Sequence, residues 1–135
     1  MGKCVYCGNE LSDNVFKAKA HTRYFDVCGN RCKRDMGTYL EKDKKWKQVM
    51  YLMIFAGGIG FLISALLGKG QYGMIGAYLG QIVGGAAFFL FPYPIASFET
   101  FESVSIKRVV LICRILGVFL MVWGLVLVIG LFLQV

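Results

Sequence analysis

Histidine, proline and acidic residues are all scarce in this chain. Its 135 residues include one histidine, His21, and two prolines, and eight carboxylates stand against fifteen lysines and arginines. With one imidazole, no Ser/His/Asp or Cys/His set can be assembled, and no glycine-rich loop follows a strand pattern to cradle a phosphate. No enzyme is expected. Charge of either sign is thin, at 17% of residues, while 57% are hydrophobic, above the about 45–50% usual for soluble domains. The amino-terminal end has no apolar leader, since the first apolar run begins only near Val49; a secretory signal is not expected.

What charge there is gathers at one end. Residues 1–48 hold eleven of the fifteen basic and six of the eight acidic residues, a net of +5, and residues 49–135 carry a net of +2. The sequence therefore divides into a polar basic head, 1–48, and a membrane part, 49–135. A head below roughly 50 residues buries little core and needs a metal or disulfides to hold it. Four of the five cysteines lie in it.

The membrane part reads as three spans. Residues 72–91 carry no charge over twenty positions, enough to cross a hydrocarbon core of ~30 Å at ~1.5 Å per residue. Gly76, Gly80 and Gly84 recur every fourth residue in it, a glycine-zipper pattern that bares one side of a helix to a close neighbour. Residues 49–67 form an uncharged first span with a small-residue patch of Gly57, Gly58, Gly60 and Ser64, preceded by Trp46 and Lys47 at the headgroup level. Residues 68–71 allow only an antiparallel return. Pro92 and Pro94 end the second span. The connection 95–108 places Phe98, Phe101 and Ser105 on one side of a helical wheel and Glu99 and Glu102 on another, which predicts a short helix in the interface. The third span, 109–135, contains Cys113, Arg114, Gly117 and Gly124, with crossing expected from Ile115 and a shallow start near Lys107.

In the head, Cys4 and Cys7 flank a tight turn that ends in Gly8, and Cys28 and Cys32 open a polar helical pattern over residues 31–47. Asn30 is the expected N-cap. Alternation across residues 21–27 suggests a short strand. A tight Cys-x2-Cys turn presents both sulfurs to one ion, Zn²⁺ accepts four thiolates tetrahedrally, and the positive end of a helix favours thiolates. The spacing predicts a structural Zn²⁺ on Cys4, Cys7, Cys28 and Cys32, with His21 left on the surface. Two disulfides, or a redox or iron-bearing site, are the alternatives. The order of knuckle, short hairpin and helix-borne second pair resembles zinc-ribbon and treble-clef zinc modules over about residues 4–45. The x3 spacing of the second pair fits the treble-clef form. The fold class expected is thus a mainly α membrane protein, three transmembrane helices with a small zinc-binding α+β head.

Basic residues fall at 42–47 and again at 107, 108 and 114, with one lysine, Lys69, in the first loop and none at the carboxyl end. That alternation predicts a cytoplasmic amino terminus and an outside carboxyl terminus in a plasma or bacterial inner membrane. The lysines beside the bilayer suit anionic lipid, so nucleic acid is not an expected partner. Gly76, Gly80 and Gly84 with Gly117 and Gly124 are the candidates for helix packing or for a homo-oligomer. Gln81, Arg114, Glu99 and Glu102 are the candidate polar membrane site. The function expected is a docking or regulatory membrane protein whose zinc head meets a cytoplasmic partner. The alternative is a small oligomeric channel or transporter, with the second span lining its path and Gln81 facing it.

Overall fold

The computed structural model describes residues 2–20, 22–67, 71–93 and 104–133. In chain order these form a β-hairpin, β1 Phe16–Ala20 and β2 Arg23–Val27, and three helices, α1 Asn30–Leu67, α2 Gln71–Leu90 and α3 Ile106–Leu133. The chain divides into two compact units, Met1–Lys47 with Tyr93–Ile112, and Gln48–Pro92 with Cys113–Val135.

The first unit starts with a short loop folded back on itself. The Cys4 amide donates to the Asn9 carbonyl at 2.8 Å, the Gly8 amide to the Cys4 carbonyl at 2.8 Å, and Lys3 bridges Glu10. Gly8 sits at φ +82°, a backbone that only glycine adopts freely. The Val5 amide reaches the Asp26 carbonyl at 3.2 Å and ties this loop to β2. The strands pair antiparallel, with Phe16 opposite Val27 and Ala18 opposite Phe25. Alternation then sends Ala18, Ala20, Phe25 and Val27 into the core and Lys17, Lys19, Tyr24 and Asp26 outward.

The head helix and the first span form one continuous helix of 38 residues, α1, because no proline interrupts the ladder between them. Its first hydrogen bond runs from the Lys33 amide to the Gly29 carbonyl at 3.0 Å, so the cap position falls on Gly29, one residue before Asn30. Along the head portion, Cys32, Met36, Tyr39, Leu40 and Asp43 return every three or four residues to the side that is shielded. Met36 is fully buried.

The core of this unit is completed from the far end of the chain. Cys4, Ala18, Ala20, Phe25, Val27, Met36 and Ile106 form one cluster, with Tyr6, Leu11, Tyr39, Leu40 and Val110 packed against it. The shallow start expected near Lys107 coincides with the first turn of α3, which takes residues 106–108 from the end of the expected interfacial helix; residues 95–103 of that helix, with Glu99 and Glu102, lie outside the described residues. Helix α3 begins three residues before the expected span, where the Val109 amide bonds the Ser105 carbonyl at 3.1 Å. Full burial of a side chain such as Met36 or Ile106 contributes about 1.5–3 kcal/mol.

The second unit is built on glycine contacts. A Cβ placed on Gly57 would stand 2.7 Å from the Gly80 carbonyl oxygen, and one on Gly117 would stand 2.7 Å from the Gly85 carbonyl oxygen. Backbones therefore meet directly, α1 against α2 and α2 against α3. Helix α2 closes with the Phe91 amide on the Ala87 carbonyl at 2.9 Å, and Pro92, with no amide hydrogen, ends the ladder. All three helices are long and apolar enough to cross a membrane. Their outer side chains are apolar and exposed, among them Leu52, Phe55, Leu66, Ile115, Phe119, Phe132 and Leu133, as a lipid solvent requires.

Candidate metal centre

Three local structures bring the cysteines together. The knuckle turn carries Cys4 and Cys7, the residue after β2 is Cys28, and the first turn of α1 carries Cys32. The four sulfur atoms all lie within 4.8 Å of one another. Cys7 Sγ is 3.6 Å from Cys28 Sγ, and Cys28 Sγ is 3.4 Å from Cys32 Sγ. All four are free thiols. A tetrahedral ion with bonds of ~2.3 Å separates its sulfurs by ~3.8 Å, and the cluster matches that spacing without a disulfide. Four cysteines in this arrangement could hold a metal ion.

The surroundings favour thiolate at one corner and neutral thiol at another. Burial works against ionisation of Cys4, but backbone hydrogen bonds at Cys7 and Cys28 outweigh it and hold the thiol down at about 7. One of these is the Cys28 amide, which donates to Cys4 Sγ at 3.4 Å. Burial, reinforced by the contact with Cys28, pushes the Cys32 thiol up to about 12. At Cys28 the Cys32 contact favours the thiolate, but the Cys7 contact and burial prevail and raise it. Negative charge at one sulfur thus discourages it at the next. A divalent cation is the natural counter-charge that would let all four ionise.

Of the other candidates, His21 lies outside the described residues. Cys113 lies on α3, in the second unit. Gln81 is half-buried on α2 and Arg114 is exposed on α3; the expected partners of Arg114, Glu99 and Glu102, are not described. The glycines divide between two neighbours. Gly76 meets Ser64 and Gly80 meets Gly57, both on α1, and Gly124 meets Ile82 of α2. The Cβ position of Gly84 is open, and Gly85 instead takes the contact with Gly117.

Sequence reasoning missed two participants. Gly85 falls outside the four-residue repeat. The second is the pair Ile106 and Lys107, whose amides donate to the Val5 and Tyr6 carbonyls at 2.9 and 3.1 Å. A basic pair at the start of an apolar run was the one available signal for it.

The fold and the cluster together define a class: a helical chain able to span a membrane three times, with a four-cysteine site that could hold a metal. Comparisons with protein-family models, with curated proteins and with solved structures return no match.

Proposed function

We propose that this is an integral membrane protein whose amino-terminal module binds one structural Zn²⁺ through Cys4, Cys7, Cys28 and Cys32 and presents a metal-locked head to a cytoplasmic partner. The observation that carries the reading is the set of four unpaired sulfurs within 4.8 Å. An all-sulfur tetrahedral set suits Zn²⁺ better than harder cations, and four protein ligands leave no open position for a substrate. That closed shell, with a single histidine in the whole chain, supports a non-enzymatic docking or regulatory role. The lysines at 42–47 support a cytoplasmic side for the head. Self-association through the second-span stripe of Gly76, Gly80 and Gly84 remains part of the proposal, supported by Gly84, whose Cβ position meets nothing within 4 Å.

Native mass spectrometry of protein released from detergent reads metal and copy number in one spectrum. One zinc per chain is expected, lost in Cys32→Ser together with the folded head. A folded, metal-free head would end the structural-zinc reading, and a strict monomer would remove the self-association.

A further inference from the structure

The knuckle between Cys4 and Gly8 has a second occupant. Helix α3 begins with amide groups that it cannot satisfy internally. The amides of Ile106 and Lys107 find their acceptors on Val5 and Tyr6, at 2.9 and 3.1 Å. These are the two residues between the cysteines of the knuckle. Three further contacts land on the same short stretch. The Lys107 ammonium stands 5.6 Å from the centre of the Tyr6 ring. Ile106 is 1% exposed and shares its cluster with Cys4. Gly8, at φ +82°, is closed over by Ser105, so that a Cβ there would stand 3.1 Å from Ser105 Oγ.

We propose that metal occupancy of the four-cysteine site governs whether the first turn of α3 is seated on the knuckle. The site then acts as a metal-responsive control on the third apolar helix. The inference rests on the zinc reading above and adds what the metal controls. An ion joining Cys4 and Cys7 to Cys28 and Cys32 fixes the direction of the two carbonyls between the first pair. Without it, the loop keeps backbone contacts such as Gly8 to Cys4, Cys4 to Asn9, Leu11 to Gly2 and Val5 to Asp26, none of which uses the Val5 or Tyr6 carbonyl, and the sulfurs are left to repel or to stay protonated. Carbonyls that lose their alignment leave the Ile106 and Lys107 amides without acceptors, at the end of a helix that runs on to Leu133. The coupling is reciprocal by thermodynamic necessity: what metal adds to the seating of α3, the seating of α3 adds to metal affinity.

The test uses the full chain in detergent micelles, with metal content measured first. Backbone hydrogen exchange is followed with one equivalent of zinc and again after a chelator removes it. Exchange over residues 104–112 should quicken by about tenfold or more on removal, along with exchange at residues 4–8. In a second arm, Lys107→Pro deletes one donated amide and the ammonium within the first turn of α3, where a missing amide breaks no intrahelical bond. Its zinc affinity should fall by about 5–20-fold, within the usual range of coupling between sites. Exchange at 104–112 that is the same with and without zinc, while residues 4–8 open, overturns the proposal whatever the variant does. A wild-type effect with unchanged affinity in Lys107→Pro also overturns it, because reciprocity would be broken. A chain that takes up no metal defeats the zinc reading itself, and the initial metal content separates that failure from the other two.

Discussion

At the scale of single residues, the four thiols differ in how readily they give up a proton. Cys32 is pushed up to about 12 and Cys28 is raised, while Cys4 is held at about 7. A metal needs all its thiolates, so binding near neutral pH must displace at least the Cys28 and Cys32 protons. The metal-bound form carries fewer protons than the free form; acid therefore favours release and base favours binding. Zinc affinity should drop by at least about a hundredfold for each unit of pH between 8 and 7, and more steeply below 7, where Cys4 also takes up its proton. Competition against a chromophoric chelator across pH 6–8 measures this. An affinity indifferent to pH would mean that the sulfurs are not the ligands. The spacing of the four cysteines was legible because each pair is local, and a turn or a helix start is enough to hold it. The unequal protonation was not legible, since it comes from the burial of Cys32, the backbone hydrogen bonds to Cys4 and the thiol contacts that form only on folding.

At the scale of helices, the glycine contacts separate positions that look equivalent in the sequence. Gly57 and Gly58 are neighbours in the same apolar run, but a Cβ on Gly57 would stand 2.7 Å from the Gly80 carbonyl, whereas one on Gly58 meets nothing within 4 Å. Gly57→Ala should destabilise the helix pair by about 1–3 kcal/mol through overpacking. Gly58→Ala should be neutral or stabilising by about 0.5–1 kcal/mol, because alanine loses less backbone freedom in a helix. Reversible unfolding in mixed micelles distinguishes them, and equal effects at both positions would contradict the α1–α2 packing. The repeat Gly76, Gly80, Gly84 was visible in the sequence, but a helix turns about 100° per residue, so steps of four drift around the axis. Gly85, nine residues from Gly76, comes out half a turn away and serves α3 in place of α1. Strand β1 was implied only by the hairpin of the zinc-module resemblance, because its buried face is Ala18 and Ala20 and alanine carries little strand preference.

At the scale of the whole molecule, one compact unit contains both Met1–Lys47 and Tyr93–Ile112. If α1 and α2 each cross a bilayer once, their outer ends return to the same side, as that shared unit demands. Protease sites inserted at residues 68–71 and at residues 94–103 should be cut from opposite faces of sealed vesicles. The second site should share its face with an amino-terminal tag, the face that the proposed orientation puts on the cytoplasmic side. Cutting of both inserted sites from one face would refute the three-span reading. Hydropathy disclosed the three apolar helices because length and lack of charge are local properties. It could not disclose that Ile106 belongs to the head core, since an apolar residue looks the same in sequence whether protein or lipid will cover it.

The pairing of Val5 and Tyr6 with Ile106 and Lys107 also sets an order of assembly. The knuckle is synthesised roughly 100 residues before its partner. At ~5–20 residues per second of translation, the two carbonyls wait on the order of 5–20 s for their donors. During that wait the nascent head has its cysteines but not the last member of its core. Maturation of the head is thereby deferred until the first turn of α3 has left the ribosome, so a chain that stops short of α3 is released with its head unfinished.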